Sequence, residues 1–308
     1  MKKLLSIAKS AFGNPAQRRQ RRAAGNMPTE ALEDRMLLSN VTVSMSGGDL
    51  RIEGDSGDNV VHVRQLAGAL VVEGLQGTTI NGQNNLVFPA NGVADDVIVD
   101  FRDDGNNAVV FENMNIGDDM QVKSGNGTDQ VAIVETTIGD DLTVQTGDGK
   151  DTIALGQFSV ADTVNIDTGN GSDKVLLFGG AADDLKIKTK SGRDTVLAAL
   201  LNVNNTTDIK TANGSDFVYL DQMQTEDLKV NLGQNNDNLY MEDVDVNDDF
   251  NLNGGSGTDN AEIINATIGD RDNRKSIEGN TVANADQVAQ DTLECIFADF
   301  EDQFAIFS

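Results

Sequence analysis

The segments SGNGTDQVAI at residues 124–133, TGDGKDTIAL at 146–155 and TGNGSDKVLL at 168–177 repeat one pattern at one interval, with Asp129, Asp151 and Asp173 standing 22 residues apart. Forward, the interval reaches Asp194, Asp216, Asp237 and Asp259 in steps of 21 or 22; backward it reaches Asn107 and Asn85, with an earlier copy at Asn59. A second landmark comes ten or eleven residues before these, in GDL at residues 48–50 and then at Asp96, Asp119, Asp141, Asp162, Asp184, Asp227 and Asp249, with Thr206 in one turn. A period of this length is read as a stacked repeat before chain length is read as a domain count.

The residues two and four after each first landmark are mostly apolar, as in Val131 and Ile133, Ile153 and Leu155, Val175 and Leu177. That alternation is a strand's. A second alternating pair follows the second landmark, as in Leu142 and Val144 or Leu185 and Ile187, and a shorter apolar position precedes it at Ile116, Ile138, Val160, Val203 and Val246. One unit cannot bury these side chains alone, whereas stacked copies set each over its equivalent about 4.8 Å away. Glycine at the corners lets the chain turn sharply with positive φ. The expectation is an all-β chain, a right-handed parallel β-helix of about ten coils of 21–22 residues with three short strands per coil.

Three regions follow from composition: a basic arm at 1–40, the β-helix at 41–284 and a Phe-rich stretch at 285–308. Lys and Arg number 23 against 50 Asp and Glu, a net charge of −27. Binding nucleic acid needs a contiguous basic surface, so phosphates are not the expected partner. The regular Val, Ile and Leu argue against a disordered middle. No apolar run approaches the roughly 18 residues of a membrane span, and the single cysteine, Cys295, leaves no internal disulfide. In the last stretch Leu293, Ile296, Phe297, Phe300, Phe304 and Phe307 recur at helical spacing. They read as a cap over the open end of the solenoid, with docking to another protein as the alternative.

Two resemblances add expectations. The Gly-x-Gly-x-Asp turns resemble the glycine- and aspartate-rich calcium repeats of secreted bacterial RTX proteins, although here the motif occurs once per 22 residues, is altered at 190–194 and is largely lost at 233–237. The resemblance implies a glycine-turned β-solenoid and calcium as a cofactor the turns would accept, though none is required. In the arm, ALEDRMLLSN at 31–40 resembles the Leu-Glu-x-Arg-x-Leu-Leu-Ser signature near the amino terminus of many planctomycete surface and secreted proteins, matching at Leu32, Glu33, Arg35, Leu37, Leu38 and Ser39. It implies export or sorting to the envelope, hence an extracellular or cell-surface location. The arm is not a standard signal peptide, since the apolar run LLSIA is short and Lys9 ends it.

Aspartates stacked at about 4.8 Å repel by about 0.9 kcal/mol per pair even in water. Calcium would compensate, with Asp129, Asp148, Asp151, Asp173, Asp216 and Asp259 as candidate ligands, since hard cations take carboxylate and carbonyl oxygens. The competing expectation is that each aspartate accepts a backbone N–H at its corner, as Asx turns do. Catalysis has little support: His62 is the only histidine, read as an outward surface residue, and abundant carboxylates in a repeat single out no site. A polysaccharide lyase or hydrolase rests on fold analogy alone. A ligand face is sought where coils differ. Lys186, Lys188, Lys190, Arg193, Lys210 and Lys229 gather in adjacent coils, beside an outward series Leu176, Leu197, Tyr219, Tyr240 that holds both tyrosines of the chain. Rings beside cations suit an acidic glycan or a protein; local charge balance and a covered stripe are the competing explanation. The Asn-Gly-Ser/Thr sequons are products of the turn formula. The functional expectation is a non-enzymatic structural or adhesive element, with a cell-envelope polymer, glycan or surface protein as partner.

Overall fold

The computed structural model describes residues 39–89, 92–101 and 105–269, and the backbone of the strands Lys275–Glu278 and Thr281–Asn284. The basic arm, the Leu-Glu-x-Arg signature, Cys295 and the Phe-rich stretch read as a cap lie outside these residues. What is described is all β, a parallel β-solenoid of about eight turns with no helix.

One coil shows the plan. The strand Gln130–Val134 lies parallel between Ala108–Glu112 and Thr152–Val160, with Gln130 opposite Ala108 on one side and Thr152 on the other. The chain then runs through the short strand Thr137–Ile138 and into Leu142–Gln145, whose Leu142 lies between Met120 and Val164. The three strands per coil were legible from the apolar pattern. They make two sheets and not three: the first two strands of each coil share a 17-stranded sheet, and the third belongs to a 12-stranded one.

The first two strands share a sheet because the chain bends between them through a single residue. That residue is Asn113, Glu135, Gln157, Gly179, Leu200, Gln222, Asp243 and Asn265 in successive coils, all at φ between 46° and 62°. Only one is glycine, so the column leaves almost no signal in the sequence. In Thr152–Val160, Lys174–Ala182 and Thr195–Val203 the two strands run on as one nine-residue element across the bend.

Core side chains form the expected columns. Val109, Val131, Ile153, Val175, Val196, Val218 and Leu239 stack in one, and Val122, Val144, Ile166, Ile187, Ile209, Val230 and Leu252 in another, all 0–2% exposed. Where a column changes residue type, its neighbour compensates: Phe158 lies over Gly180, where a Cβ would stand 2.4 Å from the ring.

The start of the solenoid departs from the ten-coil expectation. The strand Val60–Leu66 pairs with Ala108–Glu112, so Asn59 meets Asn107, 48 residues on, and Asn85 is not a corner residue at all. Asn85 lies in Asn85–Phe88, opposite Glu73 of Ala69–Gly74, and that strand pairs antiparallel with Val60–Leu66. A second hairpin lays Asn40–Ser46 antiparallel on Asp49–Glu53. The tight turns are set by Gly47, Gly48 and Gly68, at φ of 69°, 116° and 77°. The 22-residue count thus gains one false coil at Asn85, inside this insertion, whereas Asn59 is a true corner residue. These hairpins cover the exposed strands of the first coil, where a bare edge would invite pairing with other chains.

Two corner positions make opposite predictions. At Gly192 an added Cβ would stand 1.2 Å from the carbonyl oxygen of Gly171 in the coil below, so Gly192→Ala must push two coils apart. Ala212 holds φ of 68° where Gly169, Gly233 and Gly255 hold 83°, 102° and 81°, a conformation that costs an L-residue about 1–2 kcal/mol. Urea unfolding should show Ala212→Gly stabilised by about 1 kcal/mol with unchanged slope, and Gly192→Ala without a cooperative native transition.

Candidate functional site

The glycine turn carries the chain round one corner and delivers the first-landmark residue to the start of the next strand. Asn59, Asn107, Asp129, Asp151, Asp173, Asp194, Asp216, Asp237 and Asp259 are all buried there, at 0–2% exposure. Each is tied to the next by its backbone N–H, and Asn59 adds its side-chain amide to the same oxygen of Asn107 at 2.9 Å. The backbone N–H of Asp129 donates to Oδ1 of Asp151 at 2.8 Å, that of Asp151 to Asp173 at 2.9 Å, that of Asp173 to Asp194 at 2.9 Å and that of Asp194 to Asp216 at 2.8 Å. The series begins with Asn59 on Asn107 and ends with Asp237 on Asp259. The expectation that the aspartate accepts a backbone N–H is therefore met, but the donor belongs to the preceding coil and not to the same turn.

A hydroxyl column runs beside this ladder: Ser124, Thr146, Thr168, Thr189 and Thr211, each placed against the carboxyl five residues on. The same 22-residue spacing was present in the sequence as the first letter of each quoted segment. Burial pushes the ladder carboxyls up, to about 6 at Asp129, Asp173 and Asp237 and about 7 at Asp151 and Asp216, against the lowering effect of the N–H bonds they accept.

Asp148 stands apart from these five. It is exposed and belongs to a separate surface stack, taking the side-chain amide of Asn170 at 2.8 Å while its own N–H goes to Asn126. The six candidate calcium ligands are thus divided between a buried ladder and an exposed one.

The second corner bonds in the reverse sense. Here the N–H of the later coil donates to the earlier side chain: Asp119 to Asp96 at 3.2 Å, Asp141 to Asp119 at 3.0 Å and Thr163 to Asp141 at 2.9 Å. Acidic doublets at this corner bring Asp95, Asp96 and Asp118, then Asp118, Asp119 and Asp140, then Asp140, Asp141 and Asp162 into groups whose carboxylate oxygens lie within 4.8 Å of one another. These clusters could hold ions. Asp118 and Asp140 have carboxyls raised by desolvation and by the neighbouring acids. The doublets Asp95–Asp96, Asp118–Asp119 and Asp140–Asp141 are the sequence signal for these clusters, and their second members are the landmarks of the period.

The lysines and tyrosines fall on different sheets. Lys186, Lys188, Lys210 and Lys229 are exposed on strands of the 12-stranded sheet, where Lys188 adjoins Lys210 while Asp208 separates Lys186 from Lys229. Lys210 reaches Asp208 at 2.5 Å, Lys229 lies 3.7 Å from Asp227, and Lys190 pairs with Asp167 at 2.8 Å. Arg193 is exposed on the glycine corner. Tyr219 and Tyr240 stack as expected, ring centroids 5.2 Å apart, but on the 17-stranded sheet.

Their series is buried and apolar: Val110, Ala132, Ala154, Leu176, Leu197 and Tyr219 are all under 9% exposed, outside the core cluster. Tyr219, expected at the surface, is 0% exposed, and Tyr240 is half-buried. His62 occupies the same series and is likewise buried, with Glu112 at 3.4 Å, not the outward surface residue expected. Asp221, two residues beyond Tyr219, is buried too, its carboxyl raised to about 6 by burial and then by Glu242 and Asp243.

The ladder bond has a direct test. Asp173→Ala removes the acceptor of the Asp151 N–H and should cost about 1–3 kcal/mol in urea unfolding at pH 7, whereas Asp173→Asn keeps an amide oxygen at that place and should lose little. No family model matches the chain, and neither a curated protein nor a solved structure matches it.

Proposed function

We propose that the chain is a non-enzymatic scaffold, a rigid rod at or outside the cell surface that presents a lateral face to a cell-envelope polymer, a glycan or a surface protein. The observation that carries this reading is the register: from Asn107 to Asp259 every coil repeats its predecessor, bonded along the rod at the strands and at the glycine corner. A stack bonded at each level is stiff along its axis, and coils can be gained or lost without altering its section. The resemblance of residues 31–40 to a planctomycete export signature supports the location. The exposed Lys186, Lys188, Arg193, Lys210 and Lys229 offer the cationic part of a face for an acidic partner, with Tyr240 and the deeper Tyr219 on the adjoining sheet.

A second reading has its own observation. The three aspartate clusters of the second corner hold carboxylate oxygens at spacings that a hard cation bridges. In this reading calcium stabilises the rod at the second corner, not at the glycine turns that resemble RTX repeats, and the rod is a calcium-dependent module.

Incubated with purified cell-envelope polysaccharide, the protein is expected to be retained without releasing soluble reducing ends. A variant lacking residues 152–173 should be retained too and be about 4.8 Å shorter by small-angle scattering. Release of fragments would make the chain an enzyme and overturn the scaffold. For the second reading, millimolar calcium should raise the melting temperature and chelator lower it, with the response lost in Asp118→Asn/Asp140→Asn; a melting temperature indifferent to both removes it.

A further inference from the structure

Seven ladder aspartates, from Asp129 to Asp259, bury a second oxygen, Oδ2, that meets no hydrogen-bond partner. The first two rungs show what that place accepts. They are asparagines, and there an amide donates: Asn107 Nδ2 to the carbonyls of Ser124 at 2.9 Å and Gly105 at 3.0 Å, and Asn59 Nδ2 to those of Gly57 at 2.8 Å and Asp55 at 3.1 Å. The corner thus presents acceptors to whatever stands at the second atom. At the later rungs the buried hydroxyls of Ser124, Thr168 and Thr189 also stand beside the carboxyl, each able to donate to it or to accept from it. A carboxylate has no donor to give the carbonyls that the asparagine amides meet, whereas a carboxylic acid has one.

We propose that the ladder aspartates from Asp129 to Asp237 are carried in the fold as neutral carboxylic acids, each accepting an N–H through Oδ1 and donating its own proton from Oδ2, so that the rod is a proton-loaded element that tightens in acid and loosens as the medium turns alkaline. The ladder carboxyls take no part in the aspartate clusters of the second corner, and the inference stands whether or not those clusters bind a cation.

Charge around the ladder points the same way. The groups bearing on it are acidic: the rungs above and below, Asp58 at Asp129 and Asp148 at Asp173. The strands that lead into the corner end in Lys123, Lys188 and Lys210, all exposed like Lys150 and Arg193, while Lys174 is half-buried. Burial accordingly holds the folded carboxyls at about 6 to 7, above the ordinary 3.8. Protons bound by the fold are then released on unfolding, so this stabilisation is complete below about pH 4 and is lost as the pH climbs through 6 to 7.

The test is proton release when the full chain is unfolded in urea at about pH 5.5, read by pH-stat, midway between the folded and unfolded values. Wild type should release several protons, Asp151→Asn and Asp216→Asn each about one fewer, and the exposed control Asp245→Asn as many as wild type. Equal release from wild type and both ladder variants would overturn the proposal. So would one metal ion per rung in elemental analysis of the dialysed protein. Should either ladder variant fail to fold, infrared spectra of wild type with 13C-labelled aspartate carboxyls decide: protonated carboxyl bands at pH 5.5 that vanish on unfolding are expected, and fully ionised carboxylates contradict it.

Discussion

At each glycine corner a peptide N–H points along the rod toward a coil that has no carbonyl to offer it. Along the strands parallel pairing satisfies such groups, as where the Thr152 N–H meets the Asp129 carbonyl at 2.9 Å. At the corner the chain is turning, and the Oδ1 of the next coil's aspartate takes the place of the missing carbonyl. A buried N–H without a partner costs roughly 1–3 kcal/mol, and the requirement recurs at every level. The side chain that meets it must be short, carry an oxygen and sit at the same point of each coil, which is why Asp or Asn returns every 21 or 22 residues. The glycines follow from the same constraint, because the turn must bring two backbones close enough for the side chain to reach.

The two corners solve the problem in opposite senses. In the buried ladder of the glycine corner the N–H donates forward to the next coil; at the other corner it donates back to the previous coil, and the carboxyls are exposed or half-buried. Burial therefore separates acids that composition alone cannot tell apart. Asp151 is enclosed and pushed up to about 7, while Asp119 and Asp141 lie at the surface in clusters open to ions. The net charge of −27 is thus not one chemistry.

Much of the fold was legible because period and alternation are properties of residue types. The columns under Val131 and Ile133, the three strands of each coil and the glycine turns all come from side chains whose chemistry demands those places. What stayed hidden depended on backbone conformation or on who covers whom. The bend at Glu135, Gln157 and Leu200 uses positive φ in residues that give no sign of it. The antiparallel hairpins between Val60 and Phe88 were masked by Asn85, which falls on the period by accident. The tyrosines were located in the right series, but alternation said outward and could not say buried; nor could spacing reveal that Tyr219 and Lys210 lie on different sheets.

The central claim, that the corner N–H groups are held by side chains of the adjacent coil, is tested most directly by residue-resolved amide hydrogen exchange. The amides of Asp129, Asp151, Asp173, Asp194 and Asp216 should exchange as slowly as those of the core strands around Val131 and Val175, exchanging only with opening of the stack. Exchange at those five amides as fast as at the exposed turn residue Lys150 would show that the ladder does not hold them, and would contradict the account.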